Sequence, residues 1–190
     1  MCRKAQERKD EMKRSISILL AVVLAAALLL GFALQANART IRTDVGAYEY
    51  VCLTDPGSSW VEGDVLHIRG IQHTNVDVSD VAELNGLNTT IASGDINLKT
   101  GYAAIRGTMS FQPQGLQGTW EGTWTFTGNP GGARGRAVAH GTGVLAGKSL
   151  FLDLYDAPYD PVGTAEACAG IGEPESNTDI QGYILDPGDY

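Results

Sequence analysis

The sequence predicts an all-β domain, a single antiparallel barrel of eight strands with a two-sheet sandwich as the runner-up, and three observations predict it. Residues 118–128 read Gly-Thr-Trp-Glu-Gly-Thr-Trp-Thr-Phe-Thr-Gly, with Trp120, Trp124 and Phe126 on one parity and Thr119, Glu121, Thr123, Thr125 and Thr127 on the other. That is the period of a two-faced strand. Glycine supplies 24 of the 190 residues, about twice the usual share of roughly 7%, yet it separates alternating segments and does not form a low-complexity tract. No stretch beyond residue 38 carries a persuasive 3.6-residue period, and a meander of short strands removes its exposed edges by closing into a barrel.

The elements follow in order. Arg3, Lys4, Arg8, Lys9, Lys13 and Arg14 form a basic flank, 16–34 is an almost unbroken apolar run, and Ala36-Asn37-Ala38 is a small-residue cleavage site. Residues 1–38 therefore read as a signal peptide, which leaves a secreted domain over 39–190. An uncleaved anchor is the rival reading, because an apolar run of 19 residues nearly spans a bilayer as a helix. Both place the domain outside the cytoplasm, and only the second gives it a membrane contact. Strands are expected at 47–53, 65–73, 89–98, 102–111, 116–127, 134–141, 150–155 and 180–185, with turn signals such as Asp55-Pro56-Gly57 and Asn129-Pro130-Gly131-Gly132 between them. Residues 78–87 have room for a short helix or turn. Glycines 107, 118, 122, 135 and 141 lie where a curling strand bends or a neighbour approaches closely.

Charge excludes one class of partner. Six of the 14 Lys and Arg and three of the 22 Asp and Glu fall within 1–38, so the domain carries eight cations against 19 anions, a net charge of −11. Such a surface repels phosphate backbones and anionic headgroups, and no nucleic-acid partner is expected. Two cysteines remain, Cys52 and Cys168. In an oxidising compartment the expectation is one bridge between them, with two free thiols as the alternative. A loop this long contributes about 4 to 5 kcal/mol in the chain-entropy model.

Candidate chemistry is sparse. Glycine-rich segments are not followed by helix-forming runs, so a phosphate cradle is not expected, and nothing in the sequence implies a cofactor. On one continuous strand His67, Arg69, Ile71 and His73 share a face, but the two histidines lie too far apart for one metal. Arg134, Arg136, Val138 and His140 share parity on a strand expected to pair with the tryptophan-bearing one. Glu121, Arg136 and His140 are thus the candidate catalytic set if that face turns inward, and ordinary cross-strand pairs if it turns outward. Asp153, Asp156 and Asp160 are a candidate calcium loop without EF-hand spacing, which a Pro-containing acidic turn explains equally well. Trp120, Trp124 and Phe126 either fill the barrel or stack a ligand. Trp60 belongs to a loop in this reading, where an exposed aromatic is the better binding hint. Asn88-Thr89-Thr90 is formally a glycosylation acceptor.

The segment His140-Gly141-Thr142-Gly143-Val144-Leu145-Ala146-Gly147, preceded by the Trp-Glu-Gly-Thr-Trp strand, resembles the Gly-Thr-Gly signature of dirigent proteins and allene oxide cyclases. It is also similar to secreted, Gly-rich bacterial β-proteins of that barrel type. The resemblance covers about 89–152 and implies an eight-stranded barrel with an apolar interior and trimer formation. No catalytic residue of either plant family falls on a position here. The Gly-x-Trp units at Gly118 and Gly122 are similar to that of lipocalins, where the motif lies on the first strand and not in mid-chain.

The expected function is a non-enzymatic secreted or surface barrel that binds a small apolar ligand or associates with further copies of itself. The alternative is a cyclase-like or isomerase-like enzyme acting on an apolar ligand in the interior. An interior packed solid would eliminate the enzyme.

Overall fold

The computed structural model describes residues 40–188. The expected leader and cleavage site lie outside them. Nine strands form one antiparallel sheet: β1 (Ile41–Asp55), β2 (Ser58–Glu62), β3 (Val65–Val78), β4 (Gly86–Asn97), β5 (Ala103–Pro113), β6 (Trp120–Asn129), β7 (Gly132–Gly141), β8 (Ser149–Asp156) and β9 (Glu173–Asp186). The order β1-β9-β8-β7-β6-β5-β4-β3 is closed by a β1–β3 pairing, giving an eight-stranded barrel, while β2 adds to the part of β3 that runs past β1. The barrel predicted from strand count is the observed fold, and β2 is an element that the sequence reading left in a loop.

Parity decides what faces inward. Trp120, Trp124 and Phe126 point into the barrel, and their register partners alternate large with small. Phe126 lies between Ile105 and Gly135, and Trp124 between Gly107 and Ala137. The in-strand glycines mark close approach: a Cβ on Gly107 would stand 2.8 Å from Trp124 Cε2, and one on Gly135 would stand 2.6 Å from Phe126 Cδ2. Neither has a positive φ. Their missing side chains are the space the aromatics occupy.

One end of the barrel is sealed. Two 3₁₀ turns, Ala82–Leu84 and Gly143–Leu145, bring buried Leu84 and Leu145 against Phe111, Trp120, Leu150 and Ile184. The Trp120 indole donates to the Glu83 carbonyl at 2.9 Å, so its one polar atom is satisfied in the core. The turn expected within 78–87 is the first of these plugs.

The other additional element is α1 (Pro161–Ala167), where an acidic turn was expected. Asp160 caps it, accepting from the Val162 and Gly163 amides at 3.2 and 3.1 Å, and Pro161 occupies the first turn. Asn177 of β9 accepts from the Asp160 amide at 2.8 Å. Cys168, at the C-cap of α1, is joined by a disulfide to Cys52 of β1, as expected. A bridge of this kind belongs to an oxidising, extracytoplasmic environment. Among the described residues no helix is long and apolar enough to cross a membrane.

Candidate functional site

The end of the barrel away from the plugs is open, and its interior is a cavity of about 180 Å³. Two unlike walls enclose it. Ile105 and Met109 of β5, Trp124 and Phe126 of β6, and Leu152 and Leu154 of β8 form the apolar wall. Facing them are Glu49 of β1, His73, Asn75 and Asp77 of β3, and Asn88 and Thr90 of β4, with Glu175 at the rim.

Strand register assembles the polar wall. Glu49 is paired with Asp77, Asn75 with Asn88, and His73 with Thr90, so alternate residues on three neighbouring strands meet as one patch. Two β-bulges aim its outer members. Gly70, at φ 68°, is the extra residue where the β3–β4 register slips between Arg69 and Ile71. His67 and Arg69 therefore face outward, opposite Asp95 and Ser93, whereas His73 faces inward beside Thr90. The expectation that His67, Arg69, Ile71 and His73 share a face is corrected by this single residue. On β9, Glu175 is unpaired between Pro174 and Ser176, and this second bulge places its carboxylate 2.8 Å from His73 Nε2.

Glu49 is the hub. Its Oε2 accepts from Asn75 Nδ2 at 2.8 Å and from Asn88 Nδ2 at 3.2 Å. Burial pushes the Asp77 carboxyl well above the usual carboxylate range, the negative charge of Glu49 adds to the shift, and so does a hydrogen bond between the two side chains. Two acids thus share a site that favours the protonated form of Asp77. Three acceptor atoms in the patch have no partner: Asn75 Oδ1, Asp77 Oδ1 and Asn88 Oδ1. A buried polar atom left unpaired costs about 1–3 kcal/mol, so this arrangement is expensive unless something donates to it.

The residues singled out from sequence divide sharply. Trp124 and Phe126 line the cavity, while Trp120 belongs to the sealed end. Glu121, Arg136 and His140 lie on the outer face, which removes them from any interior chemistry: Glu121 accepts from Ser110 Oγ at 2.8 Å, Arg136 pairs with Asp153 at 3.2 Å and His140 meets Ser149 Oγ at 3.3 Å. Because inward residues alternate strictly, turning Trp120 and Trp124 in turns Glu121 out. The aspartates do not gather as a calcium loop, with Asp153 on an arginine and Asp160 on a helix terminus. Asn88, the formal glycosylation acceptor, is buried inside the barrel. Trp60 stacks on His67 at 5.0 Å on the outer surface, away from the cavity.

Glu49, Asn75, Asp77, Asn88 and Glu175 were not legible as a site. The signal most open to notice was His73-Thr-Asn-Val-Asp-Val78, whose alternation reads as valine inward and polar outward. The structure inverts it, burying Asn75 and Asp77 and leaving Val78 half exposed. No protein family, curated protein or solved structure matches the chain.

Proposed function

We propose that this protein binds a small amphipathic molecule in the open half of its barrel. The observation that carries the reading is a cavity with one aromatic and aliphatic wall and one wall of buried polar side chains with unpaired acceptors. Small-molecule sites combine an apolar lining with a few placed polar groups in this way. The ligand expected from sequence was simply apolar; the polar wall asks for a molecule with two ends. The disulfide and the acidic surface suit a protein that meets this ligand outside the cytoplasm.

A second reading is favoured by Glu49 and Asp77. A buried acid pair in which Asp77 is pushed toward its neutral form beside Glu49 offers an acid next to a base, which suits an isomerisation or cyclisation by proton transfer on the bound molecule.

The test is a panel of one-ring compounds, toluene, benzyl alcohol and benzylamine, read by thermal shift and by the fluorescence of Trp124, with Trp124→Phe identifying the signal. At least one compound should raise Tm, and Ala137→Phe, which fills the cavity from β7, should abolish the effect. No response from any compound, or equal binding to A137F, would overturn the binding reading. Running the incubation in D₂O adds the catalytic question: deuterium entering the ligand's carbon skeleton, and lost in Glu49→Gln, would mark an enzyme, whereas a binder leaves those positions unlabelled.

A further inference from the structure

We propose that the cavity selects a cationic ligand, a primary ammonium carried on a single apolar ring by one or two carbons. The proposal rests on the binding reading above and names the chemistry of the head group. Asn75, Asp77 and Asn88 are only 4, 5 and 6% exposed, and the unpaired atom on each is an acceptor. The amide orientations are fixed, because both Asn Nδ2 groups donate to Glu49 Oε2. The wall therefore asks for donors, and a primary ammonium has three.

Charge points the same way. Glu49 and Glu175 face the cavity with one imidazole, His73, beside the Asp77 carboxyl that burial pushes toward its neutral form, and no lysine or arginine lines it among the described residues. A carboxylate or phosphate ligand would bring like charge to an acidic wall, and a hydrocarbon would leave all three acceptors unpaired. A bare metal ion is disfavoured on geometry, since among the described residues no three His, Cys, Asp or Glu side chains cluster as a metal site. An organic cation spans both walls, its ammonium on Glu49 and its ring against Trp124, Phe126 and Met109.

Volume sets the size. The cavity is about 180 Å³, somewhat larger than the roughly 150 Å³ engineered cavity that holds benzene. One ring and a short arm fill that volume.

The experiment is calorimetric titration at pH 7 of the purified protein, disulfide intact, with benzylamine, phenethylamine, benzyl alcohol, toluene and benzoate. The two ammonium ligands should bind at least tenfold more tightly than benzyl alcohol, and benzoate should not bind. Glu49→Gln should cost benzylamine at least tenfold while leaving benzyl alcohol within twofold. Should E49Q fail to fold, the wild-type ranking decides alone. Equal affinity for benzylamine, benzyl alcohol and toluene would overturn the cationic preference while the cavity reading stands, as would benzoate binding most tightly. Failure of all five would overturn both.

Discussion

The two ends of the barrel interior are made from the same strands and the same inward parity, yet they have opposite characters. At the sealed end Phe111, Trp120, Leu145 and Leu150 pack together and the single indole N–H finds a carbonyl. At the open end Trp124 and Phe126 face a cavity whose far wall carries two carboxyl groups, two amides and an imidazole. Stability is concentrated where packing is complete and polar atoms are paired; unpaired acceptors are tolerated where the packing stops. The difference teaches that one end secures the closed sheet and thereby holds the costly end in place.

The largest test of that contrast is Trp120→Ala. Removing a fully buried indole should destabilise the protein by about 3–5 kcal/mol, measured by urea unfolding. Trp124→Ala should cost distinctly less, because one side of that ring already borders empty space. Equal costs would dissolve the distinction between the ends.

A smaller effect is expected from Asp77→Asn, and its sign depends on pH. The folded Asp77 holds its proton more tightly than the unfolded chain does, so its contribution is intact below the ordinary aspartate value of about 4 and is lost as pH rises through the elevated folded value. Raising the pH from about 5 to 8 should therefore lower the urea midpoint of the wild type more than that of D77N. Parallel curves would mean that the pair does not retain a proton. The smallest effect belongs to the outer face. Arg136 and Asp153 have side chains 83 and 51% exposed, and Arg136→Ala should change stability by less than about 1 kcal/mol and leave ligand binding unaltered.

Much of the barrel was legible because its signals are local. The alternation around Trp120 gave the strand and its two faces, leaving open which one turned inward, the two remaining cysteines gave the bridge, and the turn signals gave the spacing. Even α1 has a local sign in Asp160-Pro161, a cap followed by a first-turn proline, which the acidic composition around it obscured. The cavity was not legible, for a different physical reason. Its polar residues lie on β1, β3, β4 and β9, are brought together by register, and run against the expectation that apolar side chains point inward. Parity counted along β3 also fails at Gly70, where the count slips by one.

That glycine has a genetic consequence. Side chains on a strand have a period of two, and Arg69 and Ile71 sit opposite consecutive residues of β4 because Gly70 takes no rung of its own. Deletion of the Gly70 codon would therefore leave His73, Asn75 and Asp77 facing inward, since Arg69 and Ile71 would alternate as ordinary neighbours. Flattening the bulge so that residue 70 takes a rung would instead put either His67 and Arg69 into the barrel or Thr74, Val76 and Val78 in place of His73, Asn75 and Asp77. The acidic chamber thus depends on one residue staying out of the count, and losing that codon is a milder change than straightening it.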